Sequence, residues 1–127
     1  MVENQNNLIE KVMNVNTSNP DLNDKLYLEE LKELCSMIDG KIPDWADGIV
    51  IARLAPICLP GAYPIKRSKF GGFYFKRYWR SLISTKDAVR FENGKLGNII
   101  ILKDGKITYP KRIEGNWNSD YINLVME

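Results

Sequence analysis

The chain has 127 residues, 44% of them apolar and 27% charged, the proportions of one globular domain spanning 1–127 that can bury a core without disulfides or metal. It contains no histidine, which removes the commonest general base, the imidazole-dependent serine and cysteine triads and the usual metal ligand together. The longest apolar run, residues 49–59, is interrupted by Arg53 and falls short of the ~20 residues of a membrane span. Residues 1–7 lack the basic start and apolar stretch of a secretory signal. The expectation is a cytoplasmic protein with no membrane partner and no cofactor. Cys35 and Cys58 are too few for a disulfide framework and read as reduced, small core hydrophobes.

The net charge of +2 conceals an asymmetry. Residues 1–48 carry ten acids against four bases, a net of −6, and the remainder carries fourteen bases against six acids, a net of +8. Between Asp47 and Asp87 there is no carboxylate, whereas Arg53, Lys66, Arg67, Lys69, Lys76, Arg77, Arg80 and Lys86 all fall there. Such a block creates a local positive potential that attracts anions. The competing outcome is neutralisation by the acidic segment, within the chain or across a symmetric interface that would make a homo-oligomer.

Apolar residues at helical spacing, Leu8, Ile9, Val12, Met13 and Val15, predict a short helix near the start of the chain. Asn19, Pro20 and Asp21 form a helix-start signal, and a second helix runs through Leu22, Leu26, Tyr27, Leu31, Leu34, Cys35 and Ile38 to a stop at Gly40. Its outer face, Glu29, Glu30, Lys32 and Glu33, is acidic. Residues 43–55 are ambiguous: Pro43, Asp44 and Asp47 favour a helix start, Ile49, Val50 and Ile51 a buried strand, and helix is slightly preferred. Pro56, Pro60, Gly61 and Pro64 predict an irregular loop. From Gly71 the signals turn to β. Phe73, Phe75 and Trp79 alternate with Tyr74, Lys76, Tyr78 and Arg80. Asn93-Gly94 and Asp104-Gly105 lie between apolar runs, the pattern of type I′ hairpins, with strands at 88–92, 95–102 and 106–109. Asn118 or Ser119 caps a last short helix through Tyr121, Ile122, Leu124 and Val125. The predicted fold is α+β, with N-terminal helices packed on a C-terminal antiparallel meander of three or four strands.

Residues 66–80 are the most informative stretch, with six bases and six aromatics in fifteen positions. Guanidinium and ammonium groups neutralise phosphate, aromatic faces stack on bases, and Gly71-Gly72 permits close backbone approach. The same composition also suits a strand with a solvated, charged edge. Residues 66–69 could form a nest-like anion loop but are better explained as a polar excursion. The glycines at 71–72 and 94–97 match neither phosphate-loop nor dinucleotide-binding spacing. Asp44 and Asp47 are paired carboxylates better explained by helix capping than by metal or acid–base work. Cys58 lacks a histidine to activate it, and Trp45 and Trp117 are assigned to the core.

These readings point to a non-catalytic protein that captures an anionic, phosphate-bearing ligand, either a nucleotide-type small molecule or single-stranded nucleic acid. Arg67, Lys69, Lys76, Arg77 and Arg80 would neutralise charge while Tyr74 and Tyr78 stack. Two other classes fit the same residues. One is a protein-interaction module, such as a small inhibitor or immunity-type protein, presenting its acidic helix 21–39 to a protein partner. The other is a histidine-free, metal-independent ribonuclease-like enzyme in which Lys76, Arg77 and Arg80 stabilise a phosphorane and Tyr78 or a lysine moves protons.

Overall fold

The computed structural model describes residues 7–18, 24–54, 58–115 and 118–126. In chain order the elements are α1 (Leu8–Val15), α2 (Lys25–Ile38), β1 (Gly48–Leu54), β2 (Cys58–Arg67), β3 (Phe73–Lys76), α3 (Thr85–Glu92), β4 (Ile100–Leu102), β5 (Ile107–Thr108), β6 (Arg112–Glu114) and β7 (Tyr121–Val125). The strands form one antiparallel, curled sheet in the order β5-β4-β1-β2-β3-β7-β6. The class is therefore α+β as expected, but the sheet has seven strands rather than three or four, and α3 lies between strands rather than among the N-terminal helices.

Four segments depart from the sequence reading, each for a local reason. Residues 48–54 are a strand because Ile49 and Ile51 pack under the helices while Val50 faces the opposite cluster. A run buried on both faces needs no polar alternation. Asp47 does not cap a helix; its Oδ2 accepts the Arg67 backbone N–H at 2.7 Å. The proline-rich stretch is β2 because its prolines fall where no ladder donor is missed. The Ala62 N–H points away from β1 to Ser81 Oγ at 3.0 Å, so Pro60 and Pro64, two residues either side, also turn their nitrogens from β1. Residues 85–92 are helical because Ser84 and Asp87 make a reciprocal cap: Ser84 Oγ accepts the Asp87 N–H at 3.1 Å and donates to Asp87 Oδ2 at 3.0 Å. Finally, residues 121–125 are a strand, with Ile122 and Leu124 buried between exposed Tyr121 and Asn123. The Asp104-Gly105 hairpin is present, joining β4 to β5, but not as the expected type I′ turn, which needs positive φ at both central residues: only Gly105 has it, at 98°, and it follows a turn closed by the Gly105 N–H on the Leu102 carbonyl at 2.8 Å.

Asp24 caps α2, accepting the Leu26 and Tyr27 N–H groups; the anticipated start at residues 19–21 lies outside the described residues. Gly40, with φ of 78°, follows α2 as expected. The helices bury Leu8, Val12, Leu31, Leu34, Ile38 and Phe91 against Ile49, Ile51, Ala62 and Ile101 of the sheet. The other sheet face curls around a second cluster that includes Val50, Tyr63, Ile65, Phe73, Phe75, Ile100, Ile122 and Leu124. There Tyr63 stacks on Phe75 with centroids 4.7 Å apart and planes 7° from parallel. Among the described residues no helix is long and apolar enough to cross a membrane.

Candidate functional site

The helices cover only half of the sheet face on which they sit. They pack on β4, β1 and β2, and the same face continues across β3, β7 and β6. Register identifies its side chains. Ile49 lies opposite Pro64 and Ile51 opposite Ala62, so Lys66 shares the helix-bearing face through strand alternation. Lys66 pairs with Tyr74, Tyr74 with Asn123, and Asn123 with Glu114. Two residues along, Lys76 pairs with Tyr121. Directly opposed antiparallel residues stand on the same side, so one uncovered surface carries Lys66, Lys76, Tyr74, Tyr121, Asn123 and Glu114.

Rings extend this surface. Tyr74 meets Tyr121 edge-on at 5.4 Å and Trp79 at 6.1 Å, and Trp79 meets Trp45 at 4.7 Å. The Lys76 ammonium lies 5.2 Å from the Tyr121 ring centroid and 5.9 Å from that of Tyr78. Tyr78, foremost, and Tyr121 raise the Lys76 pKa above the ordinary ammonium value, which keeps its charge in place at neutral pH. Tyr78 is 69% exposed, and Trp45 and Tyr121 are each 47% exposed. Such exposure of adjacent rings is unusual for groups whose burial contributes so much to cores.

The strand alternation expected at 73–76 is present: Phe73 and Phe75 are buried, and Tyr74 and Lys76 look outward. It ends there, because residues 77 and 78 turn, with the Arg77 N–H donating to the Asp120 carbonyl and the Trp79 N–H to that of Lys76. Tyr78 and Arg80 are consequently turn residues rather than members of the strand face. Trp79 is half-buried against the inner cluster. Arg67 and Lys69 lie at the opposite end of β3, beside the 68–72 turn, where the Arg67 guanidinium sits 5.1 Å from the Phe73 centroid. The seven residues predicted from sequence thus divide into Tyr74, Lys76, Arg77, Tyr78 and Arg80 towards one end and Arg67 and Lys69 at the other.

Among the described residues the salt-bridged carboxylates of the acidic segment engage other cations. Glu33 takes a two-pronged contact from Arg90 at 2.9 Å, Asp24 pairs with Lys95 at 2.8 Å, and Glu30 accepts the Lys95 backbone N–H. Arg90 holds the Glu33 carboxyl below its usual range, and Lys95 does the same for Asp24. Among the described residues no salt bridge engages Lys66, Arg67, Lys69, Lys76 or Arg80. No group of three or more potential metal ligands occurs there either. Cys35 is buried under α2, and desolvation pushes its thiol up to about 12, so it is not a nucleophile.

No protein-family model, curated protein or solved structure matches the chain. The site therefore rests on its own geometry. Sequence reasoning missed Tyr121 and Asn123, because 121–125 was read as a helix, and it assigned Trp45 to the core. The available signal was the alternation Tyr121-Ile122-Asn123-Leu124. Trp117 lies outside the described residues, as does the side chain of Cys58.

Proposed function

We propose that the chain is a non-catalytic binding protein for single-stranded nucleic acid, held on the uncovered face of β3, β7 and β6. The observation that carries this reading is the run of adjoining rings, exposed Tyr121, Tyr78 and Trp45 with partly exposed Tyr74 and Trp79 between them, with lysines set among them that no carboxylate of the described residues pairs in a salt bridge. Stacking platforms interleaved with cations are what unpaired bases and their phosphates require. The surface is open and spans several strands, which suits an extended strand better than a lone nucleotide, whose capture needs an enclosing pocket. Lys66, Lys76 and Arg80 would meet phosphates, and Arg77 lies in the same turn. The rings would take the bases.

Fluorescence anisotropy with a labelled single-stranded oligonucleotide, repeated across a salt series, tests this. About three phosphate contacts give a slope of log affinity against log salt near −2, from ~0.7 per phosphate on single strands. Tyr121→Ala should weaken binding by roughly 5- to 150-fold, the equivalent of 1–3 kcal/mol for one stacked base. Absence of binding at low ionic strength, or a Tyr121→Ala variant that binds as the parent does, defeats the proposal.

A further inference from the structure

Beside the ring-bearing face, the 68–72 turn and the β6–β7 pair enclose a cleft of about 260 Å³ whose walls include Phe70, Gly71, Gly72, Glu114 and Asn123. Resting on the nucleic-acid reading above, we infer that this cleft is a base-reading slot, selective for a base with a donor-rich edge, guanine best of all.

Three features make it a slot. Phe70 is 95% exposed yet is not on a loose tip. Its N–H donates to Ser68 Oγ at 3.2 Å, the Ser68 N–H donates to the Gly72 carbonyl at 3.0 Å, and the Gly71 N–H to the Ser68 carbonyl at 3.3 Å. Gly72 has a φ of 71°, and a Cβ there would collide with the Leu124 carbonyl, so the turn lies tight against β7. A phenylalanine carried outward on a fixed turn offers a stacking face at the mouth of the cleft.

The other two features are polar and adjoining. Glu114 and Asn123 are directly opposed across β6 and β7, which places an acceptor beside an amide about 5 Å away at Cβ. The Arg112 Nε donates to Glu114 Oε2 at 2.5 Å, fixing the carboxylate while Oε1 stays available. The Asn123 side chain makes no hydrogen bond among the described residues. A carboxylate accepts only. It favours an edge with adjoining N–H donors, as on guanine N1 and N2, and disfavours thymine or uracil, whose single N–H is flanked by carbonyl oxygens. The Asn123 amide can then donate to guanine O6. Lys69, within the same turn, would meet that nucleotide's phosphate, whereas Arg67 pairs with Phe73 and lies over its ring on the other sheet face. The slot and the rings share one row of the sheet, Lys66, Tyr74, Asn123 and Glu114, so a strand lying on Tyr74 continues into it.

The test compares a short all-thymine single-stranded oligonucleotide with the same oligonucleotide carrying one central guanine. The full chain should bind the guanine form tighter by roughly 5- to 150-fold, the equivalent of one good two-point base contact. Glu114→Gln and Phe70→Ala should each shrink that preference to within about threefold, and Phe70→Ala, which lies off the ring-bearing surface, should leave affinity for the all-thymine form within about twofold. Binding of both oligonucleotides without a preference for guanine, or a preference that survives both substitutions, overturns the slot and leaves the ring-bearing surface standing. Failure of the unaltered chain to bind either oligonucleotide overturns both.

Discussion

Adjacent residues of β3 should have opposite consequences when truncated. Phe75 is fully buried and stacked on Tyr63 in the inner cluster, so Phe75→Ala leaves a ring-sized cavity. The expected loss is about 3–5 kcal/mol, of which the aromatic pair itself supplies about 0.5–1.5 kcal/mol. Against a total near 5–15 kcal/mol for a domain of this size, the variant remains folded but melts roughly 10–20 °C lower. Tyr74 points to solvent on the other side, touching Trp79 and Tyr121. Tyr74→Ala should cost only about 1 kcal/mol of stability but weaken oligonucleotide binding by roughly 5- to 150-fold. Urea unfolding followed by far-ultraviolet circular dichroism gives the first quantity and anisotropy gives the second. If Phe75→Ala costs less than about 1.5 kcal/mol, or if Tyr74→Ala destabilises more than Phe75→Ala does, the assignment of the two sheet faces is wrong.

Ser84→Ala removes the α3 cap and should lower stability by about 1 kcal/mol, read as a shift of the urea midpoint without a change in slope. The carboxylates of Asp24 and Glu33 have folded pKa values below their unfolded ones, so the stability they contribute is present above the unfolded pKa and is lost as pH falls through the folded pKa. Unfolding measured from pH 6 downwards should therefore show an acid limb below about pH 4 that is shallower in an Asp24→Asn, Glu33→Gln double variant; an unchanged limb contradicts the ion pairs. Cys35, with its thiol raised to about 12, should resist a thiol-directed disulfide reagent at neutral pH in a Cys58→Ala background until denaturant is added. Prompt labelling of the native form would contradict its burial.

The sequence carried some of this fold locally and left the rest to context. Helices α1 and α2 were legible because Leu8 and Val12, and Leu31, Leu34, Cys35 and Ile38, recur at helical spacing and are buried along one face. The Asp104-Gly105 hairpin was legible because the turn chemistry is confined to two residues. What failed were segments whose state is decided by neighbours. Ile49-Val50-Ile51 is buried on both faces, so no periodicity marks it, and Pro60 and Pro64 sit in β2 only because their side of the strand lacks a ladder partner. Asn93-Gly94 gave a hairpin signal, but Ala88 and Phe91 are spaced for one helical face and Ser84 with Asp87 had already begun a helix. For the site, composition located the cations and rings at 66–80. Pairing across strands, which brings Tyr121, Asn123 and Glu114 beside Tyr74, was beyond any local pattern.

The account stands or falls on where a single-stranded oligonucleotide touches the protein. In a titration followed by amide chemical shifts, the largest changes should map to β3, β7, β6 and the 68–72 and 77–80 turns, with α1 and α2 still. Changes centred on the acidic face of α2, or none at all at saturating oligonucleotide, would contradict it.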